Sequence, residues 1–122
     1  MRDSFEDLVD AVQTYMTALH EGDTDRLREI FLPESNLYAS IDNELRGLPI
    51  ADYIELVGSR DSPASQGHPP SGDLISIDTS GPASAVTKVS VVVPPTRFVD
   101  LLSFLRVNGR WRIITKVYHI AD

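Results

Sequence analysis

The residues best placed to move protons are Asp100 and His119, which flank a turn signal at Asn108-Gly109. Asn-Gly between runs rich in Val, Leu, Thr and Phe predicts a two-residue hairpin, because both central residues of a type I′ turn need positive φ. Such a turn sets Val107 opposite Arg110, Phe104 opposite Ile113 and Phe98 opposite His119. Asp100 then faces Val117 and lies diagonal to His119, within reach in a twisted strand pair. A carboxylate that orients an imidazole is a general-base arrangement. The competing reading pairs Asp100 with Arg97 or Lys88 and leaves His119 as a solvated strand end. Tyr15, Tyr38, Tyr53 and Tyr118 can each offer a hydroxyl to a ligand carbonyl inside an apolar cavity, or stand as core side chains with a wet tip.

Other chemistries lack their parts. The chain has no cysteine, which removes disulfides, thiolate nucleophiles and cysteine-based zinc sites. His20, at the end of a helical stretch, and His68, in a polar loop, complete a set of three histidines with no metal-ligand spacing. The glycines are isolated, so there is no phosphate loop, nucleophile elbow or dinucleotide fingerprint. No metal and no cofactor are expected.

The elements that must position these side chains are legible from periodicity. Phe5, Leu8, Val9, Val12, Tyr15, Met16 and Leu19 recur at helical spacing, which predicts a helix over 4–21. Asp3 or Ser4 can cap it, with Glu6 or Asp7 three residues on, and Gly22 supplies a left-handed end. A second helix, 24–31, is capped by Asp23 or Thr24 and stopped by Pro33. A strand over 36–41 turns at Asp42-Asn43 and returns through 44–46. Ile50, Tyr53, Ile54 and Val57 then mark a third helix ending at Gly58. Residues 59–72 contain almost nothing for a core and read as a mobile excursion or lid. Strands follow at 74–79, 84–93, 96–107 and 110–119.

On the hairpin, the expected inner face carries Phe98, Asp100, Leu102, Phe104 and Arg106 with Trp111, Ile113, Thr115, Val117 and His119. The outer face carries Arg97, Val99, Leu101, Ser103, Leu105 and Val107 with Arg110, Arg112, Ile114, Lys116 and Tyr118. A single β-bulge would exchange the two faces beyond it. Both faces are substantially apolar. Helices can cover one, so a homodimer pairing sheet against sheet is expected to cover the other, with Arg97, Arg110, Arg112 and Lys116 at its rim.

The 122 residues make one expected domain, 1–122, with a net charge of −7. The first 62 residues hold 14 acids against 5 bases, and the remainder 4 against 6. An acidic chain has no general attraction for phosphate backbones, so nucleic acid is not an expected partner. No apolar run approaches the ~20 residues of a membrane span, and the acidic N-terminus is unlike a signal peptide. A cytoplasmic location follows as the default expectation.

Two helices, a strand pair, a helix and a meander of long strands predict an α+β fold, with helices across one face of a curved, mostly antiparallel sheet. The runs VQTYMTALHEGDTDRLREIF (12–31), ELRGLPIADYIELV (44–57) and FLRVNGRWRIITKVYH (104–119) resemble the nuclear transport factor 2-like superfamily. That superfamily includes ketosteroid isomerase, polyketide cyclases and many small bacterial proteins, among them a lumazine-binding group to which this chain is most similar. The resemblance implies a cone with an internal apolar pocket. It places Tyr15 on the isomerase's oxyanion-binding tyrosine. The isomerase's base falls on Ala39, beside Ser40, and its second acid on Ser103, so that chemistry is not expected in the same form.

Two functions are therefore carried forward. One is a small-molecule-binding domain whose cone, lined by Tyr15, Tyr38, Tyr53, Leu102 and Phe104, holds a compact, apolar or ring-bearing ligand. The other is a cofactor-free proton-transfer enzyme of the isomerase, dehydratase or cyclase class, with Asp100 or His119 as base and Tyr15 as oxyanion donor.

Overall fold

The computed structural model describes residues 4–121, Ser4 by its backbone only. The Asp3 or Ser4 cap expected for the first helix therefore lies outside the described residues and side chains. Three helices and six strands follow in the order α1 (Ser4–Glu21), α2 (Thr24–Ile30), β1 (Phe31–Ile41), β2 (Glu44–Pro49), α3 (Ile50–Ser59), β3 (Asp73–Ser80), β4 (Ser84–Val93), β5 (Thr96–Val107) and β6 (Arg110–Ile120). The strands form one sheet in the order β2-β1-β6-β5-β4-β3. Every neighbouring pair is antiparallel except β1 with β6. The fold is α+β, as expected.

Local chemistry sets the boundaries. The Asp23 side chain accepts from the Arg26 amide at the start of α2, satisfying one of the free N–H groups there. Gly22 takes φ +67°, the left-handed end of α1. α2 stops at Ile30, one residue earlier than expected, because β1 begins at Phe31 rather than Asn36. Pro33 lies inside β1, and its missing N–H falls where the β1–β6 register shifts between Phe31 and Asn36. The Arg112 guanidinium donates to the carbonyls of Arg28, Glu29 and Phe31. Arg112 thus closes the end of α2.

One face of the sheet meets the helices. Leu8, Val12, Tyr15 and Leu19 of α1 and Ile50, Tyr53, Ile54 and Val57 of α3 are all buried against Val89, Leu102, Phe104, Trp111 and Ile113 of the strands. Phe5, expected on the α1 stripe, is instead exposed. The 59–72 segment is anchored to α1: the Ala64 amide donates to the His20 carbonyl at 3.0 Å, and Pro63 is buried. A Cβ on Gly72 would stand 2.6 Å from the Met16 sulfur, so glycine lets the loop pass α1 without displacing the Met16 side chain.

The hairpin holds its expected register beside the turn, with Val107 opposite Arg110 and Phe104 opposite Ile113. Beyond that it slips. Ser103 faces Thr115, which leaves Ile114 with no partner, and Val99, not Phe98, faces His119. Ile114 is therefore a β-bulge, and it reverses the facing of every β6 residue that follows. Lys116 and Tyr118 point inward, opposite Leu102 and Asp100, whereas Thr115, Val117 and His119 turn outward. Burial agrees with this assignment: Lys116 is 5% exposed and Val117 44%. The bulge lies level with the irregularity in β1, and the buried Ser35 hydroxyl ties the two by donating to the Ile113 carbonyl at 2.6 Å.

Candidate functional site

Four buried polar side chains from four elements meet between the helices and the sheet. Asp100 of β5 is fully buried, and its Oδ2 accepts from the Tyr15 hydroxyl of α1 at 2.5 Å. The same oxygen lies 3.4 Å from the Lys116 Nζ of β6. Lys116 Nζ also donates to the Tyr53 hydroxyl of α3 at 3.3 Å. Three aromatic rings surround the ammonium, with centroids 4.7 Å (Tyr53), 5.4 Å (Tyr15) and 5.9 Å (Tyr118) away, near enough for cation–π attraction. Asp100 Oδ1 and Thr87 Oγ1, both buried, have no hydrogen-bond partner among the described residues.

Each position follows from a local rule. Tyr15 belongs to the stripe of α1 that recurs every three or four residues, and Tyr53 sits on the equivalent stripe of α3. Asp100 shares the inner face of β5 with Leu102 and Phe104 by simple alternation. Lys116 joins them only because of the Ile114 bulge.

The electrostatics of the cluster are consistent with its geometry. Burial, and after it the adjacent Asp100 carboxylate, push the Tyr15 phenol well above the ordinary tyrosine value, with Arg60 opposing weakly. Tyr15 is accordingly a neutral donor. Burial alone would lower Lys116, but Tyr53 and Asp100 beside it outweigh that, and its amine is held above the ordinary lysine value. Lys116 is therefore an ammonium ion at neutral pH, with Asp100 as its counter-charge.

A cavity of about 160 Å³ opens against this cluster. Leu19, Leu37, Leu56, Val91 and Phe98 supply apolar wall, and Tyr53, Lys116, Tyr118 and Arg60 are its polar lining. Of the side chains expected to line a pocket, Tyr53 does so. Tyr15, Leu102 and Phe104 are buried in the packed core behind it, and Tyr38 is turned away with its ring over Gly47. Asp100 stands behind Lys116 and does not reach the cavity wall. His119 faces outward on the other side of the sheet, so it forms no pair with Asp100. The competing partners of Asp100 are not used either: Arg97 Nε donates to the Ser90 hydroxyl, and Lys88 is exposed. His20 borders a neighbouring hollow of about 220 Å³ beside Gly72, and His68 is exposed. No group of three or more potential metal ligands occurs among the described residues.

Lys116 and Arg60 are the site residues that the sequence reading missed. The adjacent Ile113-Ile114 pair, where strict alternation fails, was the one signal available for the bulge that brings Lys116 inside. Arg60, just past α3, carried no such mark.

Removing the proton from Lys116 or Tyr15 should weaken the fold, and both act in the same direction. Each group binds its proton more tightly in the folded chain than in the unfolded one. The stability each contributes is therefore complete below the unfolded values of about 10–10.4 and is lost as pH rises through the higher folded values. Circular dichroism melts should show a fall in Tm above about pH 10 that is shallower in Tyr15→Phe. An identical slope in the two proteins would show that Tyr15 does not participate.

No helix among the described residues is long and apolar enough to cross a membrane. Comparison with known proteins agrees with the cone-like architecture. A nuclear transport factor 2-like protein of unknown function from Silicibacter pomeroyi is 27% identical, with a TM-score of 0.84 over 95% of this chain and 94% of that one. One from Shewanella baltica, also of unknown function, is 22% identical, with a TM-score of 0.83 over 97% and 94%. Among curated proteins, Aldolase FrzH from Cladobotryum sp is 26% identical over 117 residues, covering 94% of this chain and 90% of that protein. Residues 3–119 match the family described as Putative lumazine-binding, and the chain belongs to that family within the nuclear transport factor 2-like superfamily.

Proposed function

We propose that residues 1–122 form one small-molecule-binding domain whose ligand fills the 160 Å³ cavity and meets Tyr53 and Lys116 at its polar end. The observation that carries this reading is a charged, 5% exposed amine on the wall of an otherwise largely apolar cavity. A polar group so placed fixes the orientation of an apolar ligand. The family description names lumazine, a ring-bearing dione, which fits a compact cyclic ligand. A thermal-shift and native mass spectrometry screen of ring-bearing compounds tests the reading. A true ligand at 100 times its Kd adds about 2.7 kcal/mol, or roughly 10 °C in Tm for a chain of this size. No shift and no co-purified mass across the panel would remove it.

A proton-transfer enzyme of the isomerase, dehydratase or cyclase class is the second reading, supported by the continuous Tyr15–Asp100–Lys116–Tyr53 contacts ending at the cavity. The likeness to an aldolase favours carbonyl chemistry. In this reading Lys116 and Tyr53 meet the carbonyl oxygen, Asp100 and Tyr15 position Lys116 from behind, and water in the cavity takes the proton from the carbon beside the carbonyl. Deuterium exchange next to the carbonyl of a bound ketone, followed by NMR, separates an enzyme from a binding module.

For the outer face of the sheet we propose a second copy of this chain as partner. Leu101, Leu105, Val107 and Val117 stand 37–44% exposed there. Val117 takes the place that Tyr118 was expected to hold.

A further inference from the structure

The cavity has a charge balance that selects among ligands. Asp100 answers the charge on Lys116 from behind, through the 3.4 Å contact. Arg60 is a second cation on the lining, and among the described residues its guanidinium makes no hydrogen bond or ion pair. Its backbone amide alone is engaged, with the Val57 carbonyl. Among the described residues, no Asp or Glu lines this cavity.

Hydrogen-bond capacity points the same way. An ammonium has three N–H donors, and the protein partners of Lys116 Nζ are Tyr53 Oη and Asp100 Oδ2. That leaves one donor for the cavity that Lys116 lines. A guanidinium adds a planar set of donors matched to a carboxylate. An apolar neutral ligand would strip water from Arg60 and from this remaining N–H without replacing it, at a cost in affinity. An anionic oxygen would satisfy both.

Size narrows the class. A dry cavity of about 150 Å³ in another protein accepts benzene, so 160 Å³ with a partly open mouth suits a single ring and one short substituent. Resting on the binding reading above, we propose that the ligand is a compact organic anion, one ring or a short branched chain bearing a carboxylate or enolate. Its anionic oxygen sits between Lys116 Nζ and the Arg60 guanidinium, and its body lies against Leu19, Leu37, Val91 and Phe98.

Matched probes of one shape and different charge test this. Benzoate, benzamide and benzylamine, together with cyclohexanecarboxylate and its amide, are titrated by calorimetry at fixed low ionic strength. Each acid is expected to bind at least tenfold more tightly than its amide, with the amine weakest. In Arg60→Gln, which keeps the hydrogen-bonding end and removes the charge at a part-exposed position, the acid-to-amide ratio should fall at least threefold. Equal binding of acid and amide in the native chain, or preference for the amine, overturns the anion assignment and leaves the cavity reading intact. A ratio unchanged by Arg60→Gln overturns the role of Arg60. Binding by none of these probes, or by any neutral panel member, overturns the cavity reading and the anion assignment with it.

Discussion

Asp100→Ala should lower the unfolding free energy by about 3–5 kcal/mol, the cost of leaving one half of a buried ion pair without the other. Lys116 is 5% exposed and Asp100 fully buried, so the ammonium that remains gains no hydration beyond what its cavity-facing N–H already has. Tyr15 loses its acceptor in the same substitution, and the unpartnered buried hydroxyl is part of that cost. Whole domains of this size are stable by only ~5–15 kcal/mol. Asp100→Ala should therefore lower Tm by roughly 15 °C, at ~4 °C per kcal/mol. The companion Asp100→Leu/Lys116→Met removes both charges at similar volume and should regain most of the loss, because apolar replacements of buried pairs are often neutral or better. A double-mutant cycle in urea measures the coupling between the two positions. A loss below about 1 kcal/mol for Asp100→Ala would mean that water screens the pair and that Asp100 is not buried as described.

The second large effect concerns assembly. Light scattering at micromolar concentration should report about twice the 13.5 kDa chain mass. In Leu101→Asp/Leu105→Asp it should report the single mass, with the dissociation constant raised at least about a thousandfold, or ~4 kcal/mol. The proposed two-fold pairing brings each substitution into the interface twice, and an unpaired carboxylate removed from water costs several kcal/mol. The fold itself should survive. Leu101 and Leu105 are 40% and 37% exposed and face away from the helices, so the far-ultraviolet spectrum should not change. A native chain that runs as a monomer removes the proposal. Loss of secondary structure in the variant would mean that these leucines belong to the core.

Arg112 marks how a surface pattern can mislead. Its alternation with Arg110 placed it at the rim of the outer sheet face, yet its guanidinium closes α2 by reaching three carbonyls more than 80 residues away in the chain. Lys116 was placed at the same rim and is buried beside Asp100.

Those two residues show where sequence stops being sufficient. The α1 stripe, the stop at Gly22, the four buried positions of α3 and the hairpin at Asn108-Gly109 depend on interactions within a few residues, or on a turn whose geometry admits few side chains. They were legible without tertiary information, as were Val107 opposite Arg110 and Phe104 opposite Ile113. The facing of Lys116, Tyr118 and His119 was not, because side chains alternate with a period of two and one extra residue at Ile114 reverses all that follow. That bulge lies where β6 meets an irregular β1 brought alongside from far earlier in the chain. Tyr15 likewise meets Asp100 across 85 residues. The sequence by itself determined the order of the elements and the acidic character of the chain. The partners of Asp100 and the ammonium at the cavity wall were decided by sheet curvature and by helix-on-sheet packing, which are properties of the assembled layers and of no local segment.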